Sequence, residues 1–477
     1  MTIQTAVAAY LLFLQLVLLS TIYAFAPTPS KNIIIASCVS SKTISSAQSQ
    51  MLPIRTVSKT MVRSVSSHIP ASGEAVTKLA QQLIRIPSIT PDDNGCQNVI
   101  RQRLEPLGFQ CETMQYQDVT NLWCLRQSPL HSAPTVAYLG HTDVVPVGPP
   151  SSWTLPPFGG QIHDQNMLLY GRGAVDMKGG IASFVVGLER FLQDHDSLPY
   201  SLAVLLTSDE EGDAKYGTRV VFEELQKRGI TIDMAIIGEP SSLHQVGDVV
   251  KVGRRGSLGG TLSIIGVQGH VAYSHLARNP IHESLGALKD LVDERWDDGT
   301  TDFPPTSFQI SNIQSGTGAL NVIPGFKTVQ FNFRYSPAVT DTELKRRVHG
   351  ILDKHGLQYT LEWGETTVPF ESAPGGELVE QAMASVSDVM GYSSRPCTSG
   401  GTSDGRFVAA TFPHAQIVEL GHRNETIHKI DECVSLKDLK DLSLIYKRLL
   451  DRLRIVEERK QDGQEYTDHH VSVAALP

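Results

Sequence analysis

The chain has 477 residues, 41% hydrophobic and 19% charged, and a net charge of −9. That composition fits a folded chain long enough for two domains and excludes an extended disordered protein. No Asp or Glu precedes Glu74, whereas Lys31, Lys42, Arg55, Lys59 and Arg63 do, so the body carries 36 basic against 50 acidic residues, a net of −14. Such a field disfavours nucleic acid and anionic membrane as partners. It leaves room for an anionic substrate held by local arginines. The six cysteines show no closely spaced pair and read as reduced thiols.

Residues 6–24 are an apolar run that ends on Ala24, the pattern of a cleavable signal peptide over 1–24. Residues 25–73 are rich in Ser, Thr and Ala, carry scattered basic residues and lack acids, as transit segments do. The junction Ala24-Phe25-Ala26-Pro27 resembles that of bipartite presequences directed to complex plastids. The expected address is therefore the plastid, with the secretory pathway as the alternative, and no membrane contact is expected once the presequence is removed.

The fold is expected to start near Glu74. Val76, Leu79, Ala80, Leu83 and Ile84 have helical spacing and Pro87 stops the run. Gln97–Leu107 reads as a second amphipathic helix. The strand-like run TVAYLG (135–140) leads to His141 and Asp143, and Gly180–Leu192 reads as a buried helix. Ser201–Leu206 and Met234–Ile237 are short apolar strands that deliver Asp209-Glu210-Glu211 and Gly238-Glu239. Alternating strand and helix, with polar residues at the strand ends, predicts an open α/β sheet whose site lies beyond the carboxyl ends of its strands.

The pattern changes near Arg254. Gly259–Val267 and Thr328–Arg334 alternate as half-exposed strands do, around a helical stretch His282–Trp296, which predicts an inserted α+β unit. Beyond about Pro369 the first pattern resumes, and it closes with an amphipathic helix over Leu436–Val456. The expected organisation is a catalytic domain at 74–255 and 370–456, an insert at 256–369 and a polar tail at 457–477.

The polar residues at the strand ends carry the chemistry. His141, Asp176, Glu210, Glu211, Glu239 and the distant His428 form a nitrogen and oxygen donor set without thiolates, which suits Zn²⁺ or Mn²⁺ and favours zinc. Asp176 has two oxygens and is placed to bridge two ions, leaving His141 with Glu239 for one and His428 with Glu211 for the other. Ions about 3.5–4 Å apart would hold a water and lower its pKa. Glu210 and Glu211 are adjacent on extended backbone and face opposite ways. Glu211 would thus ligate while Glu210 faces the water as general base. Asp143, two residues beyond His141, would orient its ring.

These motifs resemble the co-catalytic zinc amidohydrolase family that includes aminoacylase, acetylornithine deacetylase and carboxypeptidase G, and most closely its branch that removes succinyl groups from a diamino diacid. The resemblance covers roughly Glu74–Leu453 and rests on LGHTDVVPVG, GRGAVDMKGG, TSDEEGDAKYGT, IIGEPS, GRRGSLGG, VQGHVAYSHLARNPIH, TSGGTSDGRF and NETIHKIDECV. It implies a zinc-exopeptidase-like catalytic domain, a mixed sheet flanked by helices, with an inserted α+β lid through which subunits form a homodimer. It further implies two Zn²⁺ per subunit, with Co²⁺ or Mn²⁺ as substitutes, and a small N-acyl amino acid as substrate.

His270, in VQGHVAY, matches a lid histidine that this family donates across the dimer to polarise the scissile carbonyl. Arg254 or Arg255, Arg334, Thr402, Asn321 and Asn424 match positions that hold substrate. One position departs from the pattern: Leu320 stands where the family usually has the first of two consecutive asparagines, and Asn321 is the second. The alternatives are another N-acyl-amino-acid deacylase, such as an acetylornithine deacetylase, or a non-catalytic binding protein on the same scaffold.

Overall fold

Successive residues of TVAYLG point to opposite faces of a sheet: Val136 and Tyr138 join one apolar cluster, Ala137 and Leu139 another. A strand buried on both faces needs helices on both. The computed structural model describes residues 72–163, 165–372 and 375–462. The expected presequence lies outside them except for Ser72 and Gly73, and so does most of the expected tail.

In chain order the first elements are α1 (Ser72–Ile84), α2 (Cys96–Leu104), β1 (Gln110–Tyr116), β2 (Val119–Arg126), β3 (Thr135–His141), α3 (Lys178–Asp194), β4 (Ser201–Thr207), α4 (Thr218–Lys227), β5 (Met234–Ile237) and β6 (Val249–Lys251). A second unit comprises β7 (Gly256–Ile265), α5 (Pro280–Asp293), β8 (Ser307–Ser315), β9 (Phe326–Tyr335), α6 (Asp341–Lys354) and β10 (Tyr359–Thr367). The chain returns through α7 (Glu377–Met390), β11 (Arg395–Cys397), α8 (Gly405–Thr411), β12 (Gln416–Glu419) and α9 (Leu436–Gln461).

The main sheet has the order β1-β2-β4-β3-β5-β12-β6-β11. Its centre is parallel, β4 with β3, β3 with β5 and β5 with β12, so these strands present their carboxyl ends on one edge. Side chains of α1, α3 and α9 cover one face: Tyr138 stacks on Phe184 with ring centroids 3.8 Å apart, and Tyr446 meets both rings edge-on. Val221 and Phe222 of α4 and Val408 of α8 cover the other. The second sheet, β8-β9-β7-β10, is antiparallel and builds its own core. There Leu288 and Leu291 of α5 and Leu344 and Val348 of α6 pack with Val329, Phe331 and Phe333.

The structure corrects the sequence expectations at three points. The hairpin β1–β2 was not anticipated, because QCETMQY alternates weakly and polar residues face both ways. It makes the sheet mixed through its antiparallel pairing with β4. Cys111 and Cys124, directly opposite each other on this hairpin, form a disulfide, so the cysteines are not all free thiols. Their 13-residue separation hid a pairing that strand register alone creates. Finally, the closing helix runs to Gln461, past the expected end at Val456. Among the described residues no helix is long and apolar enough to cross a membrane.

Gly238, between β5 and Glu239, allows the close packing beneath the strand ends. A Cβ there would lie 2.0 Å from Tyr138 Oη and 2.5 Å from Met177 Cε. Tyr138 is locked between aromatic rings and has nowhere to move. Gly238→Ala is therefore expected to destabilise the chain by about 1–3 kcal/mol, read by chemical denaturation; an unchanged midpoint would contradict this packing.

Candidate metal centre

Each ligand candidate reaches the sheet edge by a short route. His141 is the last residue of β3, Glu210 and Glu211 come three and four residues after β4, and Glu239 comes two residues after β5. Asp176 arrives on the Gly-rich turn before α3. His428 comes from the connection after β12, at a left-handed φ of 57°.

The decisive geometry centres on Asp176. Its Oδ1 lies 3.0 Å from His141 Nε2, and its Oδ2 lies 3.4 Å from His428 Nε2. Each imidazole meets one more carboxylate: Glu239 Oε1 is 3.5 Å from His141 Nε2, and Glu211 Oε1 is 2.8 Å from His428 Nε2. Ligand atoms of His141, Asp176 and Glu211, and of His141, Glu210 and Glu239, also fall within 4.8 Å of one another, so Glu210 stands inside the same cluster. The division by the two oxygens of Asp176 is the more informative grouping, because it assigns one histidine to each half.

This crowding carries an electrostatic cost. Burial, and then the charge of Asp176, pushes Glu239 up to about 7. Burial and the charge of Glu239 push Glu210 well above the usual carboxylate range. Burial alone would lower His141, but its bonds to Asp176 and Glu239 hold it well above its ordinary value. Bonds to Asp176 and Glu211 raise His428 to about 10. A surplus of buried carboxylate with two imidazoles and no thiolate is the donor chemistry of a borderline divalent cation, and the residues fit such a group.

Asp143 meets His141 mainly through its main chain. His141 Nδ1 is 2.9 Å from the Asp143 backbone carbonyl, whereas the Asp143 carboxylate is 3.6 Å away. That carboxylate accepts instead from the backbone N–H groups of Glu210, at 3.4 Å, and Glu211, at 3.1 Å. It is fully buried, and burial raises its pKa to about 6. Asp143 thus orients His141 through its main chain and fixes the Glu210–Glu211 turn through its side chain.

A cavity of about 430 Å³ opens onto the cluster, lined by Asp176, Glu210, Glu211, Glu239 and His428 together with Lys251, Arg254, Thr402, Arg406 and Asn424. His270, Asn321, Arg255 and Arg334 do not line it. Arg254 is largely committed elsewhere. Its Nε and Nη2 donate to Glu419 and its Nη1 to the carbonyls of Ser399 and Gly401, which leaves one N–H for a ligand. Arg255, the residue before β7, lies close to Arg334 of the second unit, and burial and then the charge of Arg255 lower Arg334. His270 is exposed on the short strand Gly269–His270, and its Nδ1 accepts from Ala272 N–H at 3.1 Å.

Residues 137–452 match the sequence model of peptidase family M20/M25/M40. The chain belongs to this family. It is 54% identical over 377 residues to the succinyl-diaminopimelate desuccinylase of Thioalkalivibrio sulfidiphilus, covering 79% of this chain and 98% of the relative. It is 51% identical to that of Stutzerimonas stutzeri, covering 78% of this chain and 96% of the relative. The fold is similar to an M20 metallo-carboxypeptidase of Sulfolobus solfataricus, with a TM-score of 0.68, 17% identity and coverage of 80% of this chain and 99% of that one. A dinuclear metal-binding M20 peptidase of Bacillus subtilis gives 0.60 at 17% identity, with coverage of 81% and 99%. This M20 chain is a metallo-amidohydrolase with a mixed α/β fold.

Sequence reasoning overlooked two cations on the cavity wall. Lys251 ends β6 and donates to Ser399 O at 2.6 Å, and Arg406 packs over the Phe407 ring. The signal for Arg406 was present in TSGGTSDGRF, where Thr402 stood out instead. For Lys251 there was none beyond a basic residue ending an apolar run.

Behind the ligands, His422 is fully buried with its Nε2 3.5 Å from Ser183 Oγ, and burial lowers its pKa to about 4. The unfolded chain binds this proton near pH 6.5, and the folded chain resists it until about 4. The resulting stability is fully present above pH 6.5 and is lost as pH falls toward 4, by about 3 kcal/mol. Denaturation of parent and His422→Gln across this window should show the variant with the shallower pH dependence. Parallel curves would place the acid sensitivity elsewhere.

Proposed function

We propose that this M20 enzyme hydrolyses N-succinyl-LL-2,6-diaminopimelate to succinate and LL-2,6-diaminopimelate, a step of lysine biosynthesis, with two Zn²⁺ per subunit. The observation that carries the mechanism is Asp176 offering one oxygen to each histidine. The substrate rests on relatives named for this activity at 51–54% identity over 96–98% of their length. His141, Asp176 and Glu239 would hold one ion, and Asp176, Glu211 and His428 the other. Bound there, the metals supply Lewis acidity toward the acyl carbonyl and acidify the attacking water.

Glu210 is the general base. Its carboxylate belongs to the cluster and faces the cavity, and the Asp143 carboxylate fixes its backbone. It takes the proton of the attacking water and returns it to the leaving amine. His270 donates to the developing oxyanion. Because its Nδ1 accepts from Ala272 N–H, the neutral ring keeps its proton on Nε2, the donor this role requires. It reaches the site from the second unit of a partner subunit in a homodimer. Support for such a pairing comes from Leu285 and Val292, seven residues apart on α5, and Ile313 on the edge strand β8, all more than half exposed.

Arg255, Arg334 and Asn321 would enclose substrate from that unit, and Thr402, Asn424 and the remaining N–H of Arg254 from the cavity wall. A succinylated diamino diacid carries three carboxylates and calls for such a set. Residues 1–73 are read as a plastid address, to be checked by N-terminal sequencing of the mature protein.

The test is hydrolysis of N-succinyl-LL-diaminopimelate beside N-acetylornithine, with zinc, after chelation, and with Glu210→Gln. Turnover confined to the succinyl compound, abolished by chelation and reduced about 10²–10⁴-fold in the variant, is expected. Preference for acetylornithine would overturn the substrate but keep the chemistry. For the homodimer, mixing inactive His270→Ala with inactive Glu210→Gln subunits should restore activity, since one hybrid site then receives both intact groups. No recovery from subunits shown to exchange would place His270 in its own subunit's site.

A further inference from the structure

Glu432 is fully buried, four residues beyond His428, and no step of the proposed reaction uses it. A buried carboxylate is costly unless its acceptor capacity is filled. Here it is filled by the loop that carries Asp176. Oε1 accepts from the backbone N–H of Val175 at 2.8 Å and of Asp176 itself at 3.1 Å. Oε2 accepts from Gly173 N–H at 3.1 Å and from Arg172 Nη1 at 2.7 Å.

Arg172, also buried, turns its two terminal nitrogens to the other ligand loop. Nη1 also donates to the Lys429 carbonyl at 3.2 Å, and Nη2 to the His428 carbonyl at 3.4 Å. Backbone pairing holds the same junction. Gly171 N–H donates to the Glu432 carbonyl at 2.9 Å, and the short strand Cys433–Ser435 pairs with Leu168–Tyr170 in register Cys433 to Tyr170. The far side of the His428 turn is pinned as well, by Asp431 accepting from Thr154 N–H and Oγ1, both at 2.7 Å.

We propose that Glu432, with Arg172, is the positioning residue of the metal centre: one buried ion pair sets the main chains of Asp176 and His428 at a fixed separation, and so sets the span over which Asp176 is shared. The inference deepens the dinuclear reading and rests on it. A packing role alone would stabilise the fold without defining ligand geometry, and the two differ in what the metal reports. Glu432→Gln keeps the shape but turns an N–H₂ toward donors, either Val175 and Asp176 or Gly173 and Arg172. Arg172→Lys keeps the charge but cannot span Glu432 and both carbonyls.

The experiment uses the full chain, loaded with Co²⁺ or Zn²⁺, and reads metal stoichiometry, affinity, the visible Co²⁺ spectrum and the metal-free melting temperature. Glu432→Gln is expected to weaken binding about 10–100-fold, to change the Co²⁺ bands, and to lower kcat more than it raises KM. Arg172→Lys should shift the same readings in the same direction, and it decides the matter if Glu432→Gln does not fold. A parent chain that binds no metal would overturn the dinuclear reading together with this inference. A parent that loads two ions, beside a variant that melts lower but binds them with the same affinity and spectrum, would overturn this inference alone.

Discussion

The structure turns on the sharing of one carboxylate. Asp176 has to present an oxygen to each of two histidines that are 287 positions apart in the sequence, and every other placement answers that demand. Parallel strands supply the first half of the answer. β3, β4 and β5 run the same way, so the residues just beyond their carboxyl ends gather along one edge without any long-range search. The second half is harder, because His428 arrives on a long connection with no strand of its own in the sheet. Its main chain is therefore tied to that of Asp176 by buried charge, beside the short ladder of Cys433–Ser435 with Leu168–Tyr170.

This explains why polar groups are so dense beneath the site. Burial and then the charge of a neighbouring carboxylate, Asp176 for Glu239 and Glu239 for Glu210, push both acids toward protonation, and bonds to carboxylates raise His141 and His428 as well. A protein does not keep such a cluster for stability, since replacing buried ionic groups with apolar ones is often neutral or favourable. The cluster is kept because its members share one use. The surrounding frame is correspondingly stiff: Tyr138, Phe184 and Tyr446 interlock under Gly238, and Asp143 clamps the Glu210–Glu211 turn.

What was legible in the sequence was whatever depends on local pattern. Met234–Ile237 is a strand because four apolar residues precede a Gly, and its position dictates where Glu239 stands. His141, Glu210, Glu211 and Glu239 could all be found this way, as residues at strand ends. What was not legible depends on partners far away in sequence. Cys111 pairs with Cys124 only because β1 and β2 adopt a particular register. Arg254, expected to bind substrate, is held mainly by Glu419, 165 residues later. Asp143 sits where a pattern would place it, yet its carboxylate serves two amides that the pattern could not name. Charge at a position can be read from sequence, but what satisfies that charge cannot.

The same distinction bears on substrate choice. The body of the chain is acidic by 14 charges, and a polyanionic substrate would be repelled at long range. Screening confines that repulsion to about 8–10 Å at physiological salt, so the local set of cations decides the outcome. Those cations differ in how free they are. Lys251 is bonded to Ser399 and Arg254 mainly to Glu419, so both brace the cavity wall more than they bind. Arg255 carries a buried Nε without a hydrogen-bond partner among the described residues, and it lies beside Arg334 of the second unit rather than on the cavity wall. Two like charges held together, one with a buried N–H unsatisfied, keep donor capacity that Lys251 and Arg254 have largely spent.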